Sequence, residues 1–253
     1  MLKPKGQHPK PNWAELRLTD QIEPGVRVLL VGINPGVVSA STGHHFAGPT
    51  NRFWRLLYES GIVPEPVTHE DDVRLPQWGI GMTNLVARPS PGIDVIKPKE
   101  YLDGWLILER KIAKFRPEIV AFVGVTMYRA LWKVLGHADA PEIRPGFQKA
   151  TVHGARLFVL PNPSGRNANF SYAEMLAAFT LLRRAMRRLP GQTTVSARPQ
   201  GRLPLVGASS KRPEGSGAGR LPQADGTAAR TPTSRPAAAR SRKAPHTRAR
   251  SRS

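Results

Sequence analysis

The sequence predicts an α/β fold, a three-layer α/β/α sandwich around a central, mostly parallel four-stranded sheet. Four short apolar runs support it, and each ends in a loop that contains glycine, proline or asparagine. Continuous apolar runs of this length are typical of strands that are buried on both faces. Because helical patterns separate the runs, the strands should lie parallel with helices covering both faces. The runs are "RVLLVG" (27–32), "GIGMTNLV" (79–86), "EIVAFVG" (118–124) and "RLFVLP" (156–161).

The first two helical patterns have clear start and stop residues. Asn51 is a suitable cap for "RFWRLLYES", and Gly61 ends that segment. Behind Pro98, large apolar residues step along the chain by four, three, four and three, which traces one face of a helix. These residues are Tyr101, Trp105, Leu108, Ile112 and Phe115.

Two further helices are predicted in the second half of the chain. Residues 126–135 form a helical pattern that Gly136 closes. Ser171 and Glu174 have the spacing of a capping box, in which each residue satisfies a free backbone N–H of the helix start. The apolar positions that follow are Leu176, Phe179 and Met186.

Charge and composition divide the chain into three parts. The chain carries 38 Lys and Arg against 18 Asp and Glu; residues 191–253 hold 13 basic and 2 acidic residues, which leaves 25 and 16 before them. Both parts are therefore basic, which favours a polyanionic partner. The last part is rich in Pro, Ala, Ser and Arg and lacks aromatic residues, a composition typical of disorder. We expect a loose N-terminal segment (1–24), a folded domain that is the candidate catalytic domain (25–190) and a disordered basic tail (191–253).

Composition also excludes several classes of protein. The chain has no cysteine, which removes disulfides, thiol nucleophiles, zinc ribbons and cysteine-ligated iron–sulfur clusters. No apolar run approaches the roughly 20 residues that span a bilayer, and the start of the chain has no apolar core of a signal peptide. We expect a soluble intracellular protein, in the cytoplasm or nucleoid, that is a monomer and needs no cofactor or metal.

The loop after the first strand is the first candidate for chemistry, because ligands of such folds bind beyond the carboxyl ends of the strands. It reads "GINPGVVSASTGHHFAGPTNRFW" (32–54) and places Asn34 directly after the strand. Asn-Pro-Gly by itself is equally typical of a plain turn. The loop lacks the Gly-Lys-Ser/Thr ending of a phosphate-binding loop. His44 and His45 could suggest a metal, but no third ligand has a fitting spacing.

The loop after the fourth strand, "LPNPSGRNANFSYAEM" (160–175), is the second candidate. Glycine and serine before a helix start offer backbone N–H groups to a phosphate. Arg166 lies in the middle of this loop, where a solvated surface arginine is the alternative interpretation.

Taken together, the loops resemble a known family. "GINPG", "GHHFAGPTNRFW", "GMTNLVARPSPG" and "LPNPSGRNANF" follow one another at strand ends. In this order and spacing they resemble the mismatch-specific uracil-DNA glycosylases and their thymine-DNA glycosylase relatives, over roughly residues 25–188. The resemblance implies the uracil-DNA glycosylase fold, a four-stranded parallel sheet between helices. It also implies a monofunctional enzyme that releases uracil, and by extension thymine or ethenocytosine, opposite guanine in double-stranded DNA.

The resemblance also assigns roles to residues of this chain. Asn34 matches the asparagine that holds the attacking water, and Phe46 matches the aromatic residue that stacks on the flipped base. Asn84 matches a residue that faces the polar edge of the base. The remaining base-pocket residues implied are Gly32, Ile33, Ser39 and His45. The implied wedge that enters the duplex comprises Asn162, Pro163, Ser164, Gly165, Arg166 and Asn167.

The implied chemistry suits these residue types. A base inside a duplex must be turned out before it can be cleaved, and is then held by stacking and edge hydrogen bonds. An asparagine orients water but is a very poor base, so catalysis must depend on positioning and on N–H groups aimed at the leaving base. We therefore expect slow turnover and a preference for good leaving groups such as uracil.

The chain combines features of two branches of the family. Arg166 stands where some bacterial members have a wedge leucine and, with the His44-His45 pair, is similar to the vertebrate thymine-excising branch. Phe46 lacks the hydroxyl group of the tyrosine found in that branch.

Two other functions remain open from the sequence. A non-enzymatic DNA-binding or chromatin protein would account for the Arg-rich tail, but not for four ordered loops at strand ends. A small-molecule enzyme acting on nucleosides would cleave free deoxyuridine and would need no duplex.

Overall fold

The computed structural model describes residues 12, 15–137 and 142–189. The tail predicted for 191–253 and the first eleven residues of the predicted N-terminal segment lie outside the described residues. Within the described ranges, no helix is long and apolar enough to cross a membrane.

The sheet has five strands in the order β2-β1-β3-β5-β4. The four predicted strands are confirmed, and each runs parallel to its neighbours among these four. They carry the long apolar runs of the sequence, and the residues of β1 and β3 are buried throughout. The strands are β1 (Val28–Gly32), β2 (Ile80–Asn84), β3 (Ile119–Val123), β4 (Gly146–Val152) and β5 (Ala155–Leu160).

Strand β4 was not predicted from the sequence and pairs with β5 in the antiparallel direction at the sheet edge. Only its two end residues, Gly146 and Val152, are buried, and the residues between them include Gln148 and Lys149, so it lacks the continuous apolar run of the other strands. His153 and Gly154 connect the two strands with φ values of 48° and 85°. Two consecutive positive φ values are typical of the tight hairpin turns that match strand twist. The pair "HG" between two short runs was therefore the available sequence signal.

Helices cover both faces of the sheet, which confirms the three-layer architecture. One core packs helices α2 and α5 and a 3-10 helix against one face of the sheet, including Leu30, Met82 and Phe158. The other core packs helices α3 and α4 against the opposite face, including Val31 and Phe122. The helices are α1 (Val37–Thr42), α2 (Phe53–Glu59), the 3-10 helix (His69–Trp78), α3 (Pro98–Phe115), α4 (Val125–Val134) and α5 (Tyr172–Arg187).

The predicted helix boundaries are close to those observed. Asn51 Oδ1 accepts from Phe53 N at 3.0 Å, although the residue that precedes the helix is Arg52. Ser171 and Glu174 form the predicted capping box of α5. Helix α4 begins and ends one residue earlier than predicted. Helix α1 was not predicted because it has only 6 residues, and the 3-10 helix was not predicted because Pro76 interrupts it.

Gly104 allows α3 to lie directly on the backbone that follows β2. A Cβ atom at this position would come within 2.1 Å of the carbonyl oxygen of Leu85. The helix face that contains Gly104 also buries Tyr101, Trp105, Leu108 and Ile112, which confirms the predicted apolar face; Phe115 is half-buried.

We expect Gly104→Ala to lower the free energy of unfolding by about 1–3 kcal/mol, the usual cost of overpacking a core. This loss would outweigh the roughly 0.8–1.0 kcal/mol by which alanine favours a helix over glycine. Urea unfolding of the variant measures the effect. Gly48→Ala is the matched control, because no atom lies within 4 Å of the added Cβ there. Equal midpoints for both variants would show that α3 can move away without cost.

Candidate active site

Loops from the carboxyl ends of the parallel strands surround a cavity of about 740 Å³. The segments that line it follow β1, β2, β3 and β5, and a further wall comes from residues 45–51. The carboxyl ends of parallel strands meet at one edge of the sheet, which is where open α/β folds bind ligands. The cavity is therefore where the sequence placed the candidate site.

The loops after β1 and β2 are hydrogen-bonded to each other beyond the ends of the strands. Leu85 N donates to Gly32 O at 2.8 Å, and Val86 N donates to Ile33 O at 2.8 Å. Further along, the backbone N of Ser90 donates to the carbonyl oxygen of residue 35 at 3.1 Å. The short stretch that carries Asn34 is thus held along its length by the neighbouring loop.

The side-chain amide of Asn34 has one fixed orientation. Its Nδ2 donates to Ser90 Oγ at 2.8 Å and to the carbonyl oxygens of Arg88 and Pro35, each at 3.2 Å. Ser90 Oγ donates its own hydrogen to Gly92 O at 2.5 Å, so it can only accept from Asn34. Since carbonyl oxygens only accept as well, the NH₂ group must face all three. Within the described part of the chain Oδ1 has no donor, and it is left to accept a hydrogen bond from a molecule in the cavity.

Gly32, Phe46 and Asn84 form a narrow slot beside Asn34. A Cβ at position 32 would lie 2.5 Å from Asn84 Oδ1 and 3.4 Å from Phe46 Cζ, so only glycine leaves room here. The Phe46 ring stacks on Phe53 with centroids 4.0 Å apart and an interplanar angle of 16°. The Asn84 amide makes no hydrogen bond to another described residue. An aromatic ring beside an amide suits a flat ligand with a polar edge.

His45 is 1% exposed and lines the same cavity. Burial lowers its pKa from the ordinary value of 6.5, against opposing effects of the hydrogen bond to Thr19 and of the Asp72 and Asp20 carboxylates. Its Nε2 lies 3.0 Å from the carbonyl oxygen of Thr19, which can only accept. The ring is therefore neutral at neutral pH and carries its hydrogen on Nε2.

The loop from Pro161 to Ser171, between β5 and α5, is braced by its own side chains. Ser164 N donates to Asn162 Oδ1 at 3.0 Å, and Asn167 Nδ2 donates to Asn162 O at 2.7 Å. The other atom of the Asn167 amide, Oδ1, accepts from Asn169 N at 2.9 Å. These amides therefore stiffen the loop.

The same loop is attached to the segment before α2. Arg52 N donates to Pro163 O at 3.0 Å. A Cβ at Gly165 would lie 2.6 Å from Thr50 Cβ, so the two backbones are in close contact. The loop thus stands at a fixed position on the cavity rim.

Arg166 is exposed at the tip of this loop, and its side chain has no hydrogen bond or ion pair with another described residue. Asp94, on the opposite loop, is the one carboxylate among the described residues that line the cavity, and it is exposed. In the described ranges, no three His, Cys, Asp or Glu side chains are grouped to hold a metal ion. His44, one of the pair considered for metal, binds Asp72 instead, through Nδ1 at 3.0 Å.

A family profile described as the uracil DNA glycosylase superfamily matches residues 19–186, more than half of the chain. The chain belongs to the uracil DNA glycosylase superfamily. It is 36% identical over 147 residues to a G/U mismatch-specific uracil DNA glycosylase of Schizosaccharomyces pombe. That match covers 56% of this chain and 45% of the relative, so the chain spans less than half the length of the relative it matches.

The structure brings most of the predicted site residues of this superfamily member into the cavity. Gly32 lies behind the slot rather than in the lining, Pro163 is buried, and Gly165 packs on Thr50. Ser39 lines the cavity, and its Oγ accepts from Ala47 N at 3.0 Å, so it also holds the wall. The residues that line the cavity are Ile33, Asn34, Ser39, His45, Phe46, Asn84, Asn162, Ser164, Arg166 and Asn167.

Sequence reasoning missed other residues of the site. Ser90 and the backbone of Arg88 fix Asn34, and the local sequence "ARPSPG" gives no sign of that contact because the partner lies more than 50 residues away along the chain. Leu18 lines the cavity, and Thr19 orients His45, although both lie in the segment expected to be loose. Asp72 had no signal, because an acidic residue in "HEDDVRL" is typical of an exposed surface.

We expect the buried ring of His45 to make stability depend on pH. Because its folded-state pKa is below 6.5, the unfolded chain binds more protons in acid, and stability falls as the pH drops below about 6.5. Urea unfolding between pH 5 and pH 8 should show a steeper loss for the wild type than for His45→Gln. Gln can still donate to Thr19 O but does not titrate. Superimposable profiles would contradict the assignment of a neutral, buried ring.

Proposed function

We propose that the protein hydrolyses the N-glycosidic bond of uracil opposite guanine in double-stranded DNA. The observation that carries the proposal is the Asn34 amide, whose NH₂ group is anchored on Ser90, Arg88 and Pro35 while Oδ1 is left for a molecule in the cavity. Superfamily membership and the activity for which the S. pombe relative is named support it.

The chemistry needs a water placed against the sugar. Asn34 Oδ1 accepts a hydrogen bond from that water, whose oxygen forms a bond to C1′ as the bond from C1′ to the base nitrogen breaks. The electron pair of the broken bond leaves with the base, and the water releases its extra proton to solvent. A neutral amide removes no proton by itself, so the rate depends on positioning and on stabilising the charge that gathers on the base. Uracil, a better leaving group than thymine, is the preferred substrate.

The slot holds the flipped base. Phe46 stacks on one face of the pyrimidine, and the Asn84 amide bonds its polar edge. His45 and Ser39 line the same space, with the backbone of Ile33 beside them. Thymine and ethenocytosine opposite guanine are the further substrates to test in this slot.

We expect Asn34→Ala to lower single-turnover excision from a G·U duplex by roughly 10²-fold or more, the usual loss of a positioned polar group. DNA binding should change little, since Asn34 touches the water rather than the duplex. Asn12→Ala, an exposed asparagine outside the cavity lining, is the matched control. A near-normal rate for Asn34→Ala would rule it out as the residue that holds the water.

The experiment that tests the function itself compares oligonucleotides that carry G·U, A·U, single-stranded U, G·T and ethenocytosine. The proposal requires base release from G·U above the others. Binding without any base release would favour the DNA-binding alternative. Cleavage of free deoxyuridine with no need for a duplex would favour a nucleoside enzyme.

We propose that Arg166 fills the hole that the flipped base leaves. Its loop is cross-linked by hydrogen bonds of the Asn162 and Asn167 side chains, its own side chain is exposed, and it lines the same cavity as Asn34. A guanidinium can stack on neighbouring bases and donate hydrogen bonds there. Unstacking and unpairing the base costs a few kcal/mol, so a flipped base tends to return to the duplex. A side chain that fills the hole delays this return.

We expect Arg166→Ala to lower excision strongly on a G·U duplex and much less on single-stranded uracil, where no hole forms. Arg166→Leu should recover part of the duplex activity, because a wedge needs bulk more than charge. Arg110→Ala, at an exposed position of α3 outside the cavity lining, is the control for loss of charge alone. Equal losses on both substrates would mean that Arg166 only contacts phosphate.

A further inference from the structure

Asp72 is a carboxylate with 0% exposure that the proposed chemistry does not use. It lies in the 3-10 helix His69–Trp78, and no lysine or arginine of the described ranges pairs with it. It is bonded to two consecutive residues: Oδ2 accepts from His45 N at 2.9 Å, and Oδ1 lies 3.0 Å from His44 Nδ1. Burying a carboxylate is costly unless it is compensated, and here the compensation comes from one loop.

That loop carries a strained residue. Phe46 follows His45 directly and has a φ of 52°, in the left-handed region that residues other than glycine rarely adopt. Such a conformation persists only where the surroundings hold it. The carbonyl oxygen of His45 accepts from Trp54 Nε1 at 3.2 Å, and Ser39 Oγ accepts from Ala47 N at 3.0 Å. Asp72 adds the hold on the N–H side of His45.

We infer that Asp72 is a positioning residue that fixes the His44–Ala47 loop, so that Phe46 presents its ring to the base. The inference rests on the proposed function, in which Phe46 stacks on the flipped uracil. Asp72 does not line the cavity, and both residues that its carboxylate contacts, His44 and His45, belong to this loop.

The Asp72 carboxylate also determines which ring nitrogen of His44 carries a hydrogen. Since an ionised carboxylate only accepts, Nδ1 of His44 must carry a hydrogen in this arrangement. An asparagine at position 72 has nearly the same shape and can still accept from His45 N through its oxygen. Its NH₂ group would then face the Nδ1 hydrogen of His44, and the pair holds only if His44 changes tautomer. Asp72→Asn is thus a minimal change that weakens the hold without opening a cavity.

A double-mutant cycle with Phe46 separates positioning from general stability. We expect Asp72→Asn to lower single-turnover excision of G·U by roughly 10- to 100-fold, the scale of a small misplacement near the reacting atoms. In a Phe46→Ala background the same change should cost less than about twofold, because the ring it positions is gone. An equal loss in both backgrounds, or no loss in either, overturns the inference.

Amide hydrogen exchange measures the hold of Asp72 on the His44–Ala47 loop independently of enzyme activity. Asp72→Asn should speed exchange at His45 and its neighbours in the His44–Ala47 loop, and leave β1 and β3 protected. His44→Ala, at a half-buried position, removes one partner of the carboxylate and should show the same local pattern if Asp72→Asn does not fold. Unchanged exchange in the loop, or faster exchange throughout the sheet, contradicts a positioning role.

The two proposals fail in different ways. A wild-type protein that releases no uracil while the exchange result holds would remove the proposed function and keep Asp72 as the anchor of the loop. Normal excision by the wild type, with no coupling between Asp72 and Phe46, would remove the inference and keep the function.

Discussion

The hydrogen bonds between the loop after β1 and the loop after β2 are the constraint on which the candidate site depends. The two strands pair in parallel register up to Gly32 and Asn84, and beyond that pair Leu85 N donates to Gly32 O and Val86 N donates to Ile33 O. This continuation brings Ser90 to the side chain of Asn34, where Oγ accepts from Nδ2 at 2.8 Å. An asparagine in a freely turning loop would rotate its amide, and the oxygen would have no preferred direction. Here the orientation of the Asn34 amide is set by three acceptors around Nδ2, none of which can donate a hydrogen bond to Oδ1.

The loop after β2, which supplies two of those acceptors, Arg88 O and Ser90 Oγ, is itself held by α3. Arg88 donates to both carboxylate oxygens of Glu100, through Nε at 2.6 Å and through Nη2 at 2.9 Å. The pair, together with the backbone N–H of Lys97, lowers the pKa of Glu100 from 4.5 to about 2. Glu100 therefore stays ionised across the pH range in which the protein would work. Gly104, one helical turn further on, lets the same helix rest on Leu85.

The opposite wall of the cavity is rigid for a different reason. The Phe46 conformation is strained, and the contacts of Asp72, Ser39 and Trp54 with the loop residues next to it offset that strain. The loop between β5 and α5 uses its own asparagine side chains for the same purpose. Each wall is thus preorganised before any ligand enters. Preorganisation is what a site without a strong acid or base must rely on.

The sequence alone determined the layers, four of the five strands, and the edge of the sheet where the site lies. Long apolar runs and capped helices are local patterns, and the parallel arrangement follows from their alternation. Asn34 could be located beside a strand end for the same reason, whereas Asn84 was identified only through the family resemblance. β4 was not predicted because this edge strand has polar residues in its middle and so no continuous apolar run, and its hairpin turn uses an unusual His-Gly pair.

Only the tertiary structure decided which residues hold the site in place. Ser90 is 56 residues from Asn34 along the chain, and Asp72 is 27 residues from His45. Thr19 reaches His45 from a segment that its composition marked as loose. A buried carboxylate and a solvated one look the same in a sequence, because burial depends on which elements pack over the residue. Local patterns determine elements, whereas the partners of a polar side chain depend on contacts between residues that are distant along the chain.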